Sequence, residues 1–153
     1  MVRVLFVCLG NICRSTMAEA LFAHKVRLGG LQDRFEADSA GTGHWHVGRP
    51  PHPGTQEILK RNGVRYEHRA RLITAQDLNE FDYIVPMDSE NLADVRRLGK
   101  GSAQIRTMMS FDPAAEVADV PDPYYDGQFD RVYRLLDRAT SMLLETLCRN
   151  HEP

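Results

Sequence analysis

Three cysteines, an odd number with two of them in one short loop, are too few and too close together for the disulfide framework of a small secreted domain. They also miss a common zinc pattern. Cys8 and Cys13 stand farther apart than paired zinc ligands usually do, and no second Cys/His pair completes a set, so no metal is expected. The sequence lacks any apolar run of membrane-spanning length, and Met1–Cys8 has no cleavable small-residue motif, so it reads as a first strand. No membrane partner and a reducing, cytoplasmic location are the expectations. An excess of basic residues is missing as well: the formal charge is −2 and the pI near 6.3, which argues against a nucleic-acid partner. Arg61, Arg65, Arg96 and Arg97 read as solvated helix faces.

What is present is an ordinary core-forming composition, 42% hydrophobic over 153 residues, enough for one domain without staples. Strand and helix patterns alternate along it. Residues 2–8 read as a buried parallel strand, and 16–28 as a helix with Met17, Ala20, Leu21 and Leu28 on one stripe, ended by Gly29-Gly30. A second strand is predicted near 34–39. A long exposed segment from Gly41 to Pro53, rich in Gly, Pro and His, precedes a helix over 53–61 that stops at Asn62-Gly63. Tyr83–Met87 reads as a third strand despite Pro86, with Asp88 or Ser89 capping a helix through Leu98; a fourth strand is expected over 103–108. Phe129, Val132, Tyr133, Leu136, Ala139, Leu143 and Leu147 recur at helical spacing and predict a long helix covering one sheet face. The fold class is α/β: a three-layer open sheet of four parallel strands flanked by helices, doubly wound and flavodoxin-like. Ligands of such sheets sit beyond the carboxyl ends of the strands, where Cys8 falls.

The loop that follows, Cys8-Leu9-Gly10-Asn11-Ile12-Cys13-Arg14-Ser15, joins the first strand to the first helix. Such a loop turns backbone N–H groups toward one point, and the helix N-terminus adds partial positive charge, which suits a phosphate. Cys8 opens the loop and Arg14 closes it. A nearby cation and a helix N-terminus favour the thiolate, the reactive form of cysteine, while the planar guanidinium grips two phosphate oxygens. Gly10 permits unusual backbone angles, Asn11 tolerates the left-handed region and Ser15 is a good N-cap. Together they point to a phosphatase rather than to a packed strand end.

A thiolate attacking a phosphate ester needs an acid for the departing oxygen. Asp122, in Val120-Pro121-Asp122-Pro123-Tyr124-Tyr125-Asp126-Gly127, sits in a loop that two prolines stiffen, beside two tyrosines able to frame an aryl group. Cys8-x5-Arg14-Ser15 and Asp122-Pro123-Tyr124-Tyr125, with Asp38-Ser39-Ala40-Gly41, Trp45, His68-Arg69-Ala70-Arg71, Thr74 and Met87-Asp88-x2-Asn91 between them, resemble the low-molecular-weight protein tyrosine phosphatase family. The resemblance covers nearly the whole chain and implies a single phosphatase domain over 1–153. It implies further that Cys8 forms a phosphocysteine, Arg14 binds the phosphoryl oxygens together with the loop residues Leu9 to Cys13, and Asp122 serves as acid and then base. Ser15 would bond the sulfur; Asn11, Ser15, Ser39 and His68 would hold the loop; Trp45, Tyr124 and Tyr125 would wall the cleft. No cofactor is implied, and the partners would be tyrosine-phosphorylated proteins.

Oxidation of Cys8 could be caught by Cys13 as a reversible disulfide, whereas Cys148 reads as packing. Thr16 stands where the family often has Pro and could supply an alternative cap with Glu19. Two other functions fit parts of the pattern. An arsenate reductase on the same scaffold would need further redox cysteines, and 70–100 holds none. A phosphotyrosine-binding module would need neither Cys8 nor Asp122.

Overall fold

The strand Val2–Cys8 (β1) alternates its side chains between two hydrophobic layers, which places it at the centre of the molecule. Val4, Phe6 and Cys8 face one layer; Leu5 and Val7 face the other. In this computed structural model, which describes residues 1–152, β1 pairs in parallel with Phe35–Gly41 (β2) on one side and Tyr83–Pro86 (β3) on the other. A two-residue strand, Gln104–Ile105 (β4), extends β3, so the spatial order is β2-β1-β3-β4. The predicted open parallel sheet is the one observed.

Helices cover both faces. Arg14–Leu28 (α1) and Pro53–Arg61 (α2) pack on the layer that holds Phe6 and Cys8. A short turn of helix at Asp77–Glu80 (α3) and Ser89–Arg97 (α4) close the opposite layer through Leu78 and Val95. A four-residue helix, Pro123–Asp126 (α5), precedes the long Phe129–Asn150 (α6). Val132, Leu136, Ala139, Leu143 and Leu147 form the fully buried stripe of α6, as their spacing requires. That stripe packs beside α1 and a 3-10 turn at Met108–Phe111, in the same hydrophobic layer as Val4, Phe6 and Val85 of the strands. Tyr133 is half-buried, and Cys148 packs at the margin of the same core.

Several boundaries differ from those expected, each for a local reason. The fourth strand is two residues long because the chain turns into the 3-10 segment at Met108. That shortness also accommodates Pro86. Ile84 accepts from the N–H of Arg106, and Pro86, two residues on, faces the same neighbour beyond its end, where no ladder donor is required. Asp88 caps α4, its carboxylate accepting from Asn91 N–H at 2.7 Å. Leu28 ends α1 exposed rather than on the buried stripe, and Arg65 lies outside any helix. No helix among the described residues is long and apolar enough to cross a membrane.

Candidate active site

Cys8 ends β1 at the point where the chain order of the sheet reverses, with β2 on one side and β3 on the other, so the crevice of the fold opens above it. The loop from Leu9 to Cys13 turns its carbonyls outward. Those of Cys8, Leu9 and Ile12 accept from the N–H groups of Thr42, Gly43 and His52. The N–H groups of residues 9–13 donate to no acceptor among the described residues and stay available to an anion. Asn11 takes the left-handed conformation at φ 55° that the turn demands. Gly10 does not, contrary to its expected role: it is there for space. A Cβ at Gly10 would lie 2.9 Å from Cδ2 of His46, which packs directly over the loop.

Ser15 does not cap α1. The helix begins one residue earlier, at Arg14, and Cys13 occupies the cap position without a side-chain bond. The Ser15 hydroxyl is used inside the loop, accepting from Asn11 Nδ2 at 2.9 Å and lying 3.0 Å from Cys8 Sγ. Its proton remains free to be donated to the sulfur when Cys8 is a thiolate, which can only accept. Thr16 is not a replacement cap either: its hydroxyl donates to the Cys13 carbonyl, while Glu19 turns away to a different network.

That network braces the loop from behind. Asn11 Nδ2 also donates to Ser39 Oγ at 3.0 Å, and Ser39 donates to Glu19 at 2.7 Å. Asn11 Oδ1 accepts from the Arg71 backbone N–H and faces His68 Nε2 at 2.9 Å, so that ring nitrogen carries the proton. Tyr66 donates to the same Glu19 oxygen at 2.7 Å. Burial pushes the Glu19 carboxyl up to about 7, against the opposing bonds from Tyr66 and Ser39, and burial pulls His68 below its ordinary value. Both directions favour an uncharged Glu19–His68 pair, 3.6 Å apart. Glu19, Asp38 and His68 bring three ligand-type atoms within 4.8 Å of one another. The carboxylates are already engaged by Tyr66, Ser39 and Arg71, so the cluster serves as an internal brace.

Arg14 is buried, with only 3% of its surface exposed. Its Nη1 donates to Asp88 at 2.6 Å and to the Val120 carbonyl at 2.9 Å, which aims the remaining edge of the guanidinium, Nε and Nη2, toward the pocket. Burial opposes its charge, but Cys8, Asp88 and Asp122 outweigh that and hold it protonated. Asp122 comes from the far end of the chain. One carboxylate oxygen accepts from Tyr124 N–H at 3.0 Å and starts α5; the other lies 3.7 Å from Arg14 Nη2. Cys13 is buried beside these charges, and its thiol is pushed up by burial first, then by Cys8 and Asp122, with Arg14 acting the other way.

Cys8, Leu9, Gly10, Cys13, Arg14, Trp45, His46, Asp122, Tyr124 and Tyr125 share one cleft of about 350 Å³. Trp45, Tyr124 and Tyr125 line it, with Tyr124 and Tyr125 in edge contact at 4.9 Å. Ser39 and His68 lie behind the loop. Sequence reasoning missed Glu19 and Tyr66 as braces, His46 as a wall, and Asp88 as the partner of Arg14, having read Asp88 as a cap alone.

The family model for low molecular weight phosphotyrosine protein phosphatase matches residues 3–152. The low molecular weight protein-tyrosine-phosphatase YfkJ of Bacillus subtilis is 47% identical over 150 residues, covering 96% of each chain. A pig low molecular weight phosphotyrosine protein phosphatase is 41% identical over 148 residues, covering 93% of each. The crystal structure of YfkJ superimposes with a TM-score of 0.97, covering 99% of this chain and 98% of that one. The chain belongs to the low-molecular-weight protein tyrosine phosphatase family and is a phosphotyrosine phosphatase.

Proposed function

We propose that residues 1–153 act as one catalytic domain in which Cys8 is the nucleophile, Arg14 the phosphoryl clamp and Asp122 the acid and base. The observation that carries this reading is the convergence of Cys8 and Arg14 with Asp122, over a hundred residues farther along the chain, on one cleft floored by unused N–H groups. The phosphoryl group of a phosphotyrosine side chain enters between the loop amides and the free edge of Arg14. Cys8 sulfur attacks phosphorus, the bond to the phenolic oxygen breaks, and Asp122 donates a proton to that oxygen. The ring is held between Trp45 and Tyr124. Negative charge gathering on the equatorial oxygens meets donors already fixed in place, so little reorganisation is needed. Ser15 stabilises the sulfur as it leaves in the second step, when the ionised Asp122 takes a proton from the attacking water.

A reducing compartment such as the cytoplasm suits a chemistry that depends on a free thiol, and phosphotyrosine-bearing proteins are the substrates. The test is steady-state turnover of a series of aryl phosphates. Cys8→Ser should lose turnover, and Asp122→Ala should fall about 10²- to 10⁴-fold, most for the least acidic phenols, since they depend most on protonation. Full turnover by Cys8→Ser, or an Asp122→Ala loss that ignores the leaving group, overturns the assignment. Tight phosphopeptide binding without turnover by the unaltered protein would favour a binding module.

A further inference from the structure

Nine large hydrophobic side chains are exposed among the described residues, and four of them, Leu9, Trp45, Tyr124 and Tyr125, line the single cleft that holds Cys8. Isolated exposed hydrophobics need no explanation; convergence on one mouth does. Trp45 is 62% exposed and Tyr125 91%, so neither is used up by the core. Trp45 is set by its own loop: it folds back onto Gly43, where a Cβ would come within 1.9 Å of the indole ring, and His44 stacks on it at 5.2 Å. Val47, also exposed, follows on the same loop. On the opposite wall, α5 presents Tyr124 and Tyr125 side by side.

The charges at the mouth complete the pattern. Arg14 and Asp122 are the only Lys, Arg, Asp or Glu residues lining the cleft. Arg14 is buried and committed to Asp88 and the phosphoryl group, and Asp122 carries the proton it will donate when substrate binds, so beyond the phosphate the lining offers no Lys or Arg and its one other basic group is His46. Arg49, the one Lys or Arg in the 42–53 segment, lies outside the lining. A carboxylate beside the substrate phosphotyrosine would find no Lys or Arg here and would lose water against an apolar wall. An apolar or aromatic neighbour would find the collar of Leu9, Trp45 and Tyr125.

We propose that this collar selects phosphotyrosines whose neighbouring residues, within two positions on either side, are apolar or aromatic, and that it disfavours acidic neighbours. The inference rests on the phosphotyrosine reading given above and names the substrate class more narrowly. The contacts lie away from the reacting atoms and are the same in the ground and transition states, so the preference is expressed in KM more than in kcat.

The experiment compares phosphotyrosine peptides of equal length with leucine and phenylalanine flanks against the same peptides with glutamate flanks, at low and at 0.5 M salt. The expected result is a kcat/KM ratio of about tenfold or more in favour of the apolar flanks, an effect of about 1.4 kcal/mol, most of it surviving salt. Trp45→Ala combined with Tyr125→Ala should bring the ratio to within about threefold, read from KM. Glutamate flanks cleaved as well as or better than apolar ones overturn the proposal, as does a ratio unchanged by the double substitution. Turnover of a small aryl phosphate by the same preparation reads the underlying phosphatase assignment separately, and the unaltered protein decides the first comparison without any variant.

Discussion

Replacing Glu19 by Gln should change how stability depends on pH, and the structure sets both sign and size. Burial raises the Glu19 carboxyl from 4.5 to about 7, because its oxygen lies inside the brace with Tyr66, Ser39 and His68. A raised folded-state value means that the folded protein holds its proton more tightly than the unfolded chain does. The associated stability is complete below about 4.5 and is lost as pH rises through about 7. Linkage over that interval gives a fall of about 2.5 kcal/mol between pH 5 and pH 8 from this one group. Glutamine keeps an acceptor for Tyr66 and Ser39 but cannot ionise, so the variant should lack this component. His68 works in the other sense, since its lowered value gives stability that is present above its ordinary 6.5 and is lost as pH falls through its folded value. Urea unfolding of both proteins at intervals from pH 5 to pH 8 measures the difference directly. The variant should gain about 2.5 kcal/mol relative to the parent across that range. Parallel curves would refute the uncharged Glu19–His68 pair.

Gly10→Ala should lower kcat/KM by about tenfold at most, because the new Cβ meets His46 Cδ2 at 2.9 Å and pushes that ring off the loop into the cleft. His46→Ala in the same chain should restore much of the loss; a single variant of parental activity, or a double variant no better than the single, contradicts the steric reading. Mild peroxide should join Cys8 to Cys13 in a crosslink seen by mass spectrometry and reversed by thiol, whereas overoxidised Cys8 alone would reject that route. Asp88→Asn should weaken vanadate binding and kcat together by freeing the Arg14 Nη1 edge, and unchanged values for both would show that Arg14 needs no such anchor.

Local chemistry was readable in the sequence where neighbouring residues create it. The loop from Cys8 to Ser15 combines strand end, turn and helix start within eight positions, and the stripe of α6 follows from spacing alone. The sheet class was readable for the same reason, as four strand patterns separated by helices. What escaped depended on which strands become neighbours. Asp88 looks like a helix cap and is one; it also reaches Arg14 because β3 pairs beside β1, a fact that no local pattern contains. Glu19 and Tyr66 meet only after α1 and the segment beyond α2 fold against the back of the loop. Ser15 was misread because serine at a helix start ordinarily caps it, whereas here the helix begins at Arg14 and the hydroxyl has a nearer use against sulfur. The role of Gly10 was misjudged similarly: the constraint is His46 from another segment, not the backbone angle of the glycine.

The most direct test is a rapid acid quench during turnover of a phosphotyrosine peptide, followed by mapping of the phosphorylated residue by mass spectrometry. Phosphate should be found on the sulfur of Cys8 and should accumulate in Asp122→Ala when a good leaving group bypasses the first protonation, because water then lacks its base. Phosphate on any other side chain, or turnover with no covalent phosphoryl group on Cys8 under these conditions, would contradict a nucleophilic sulfur held in the pocket of Arg14 and the loop amides.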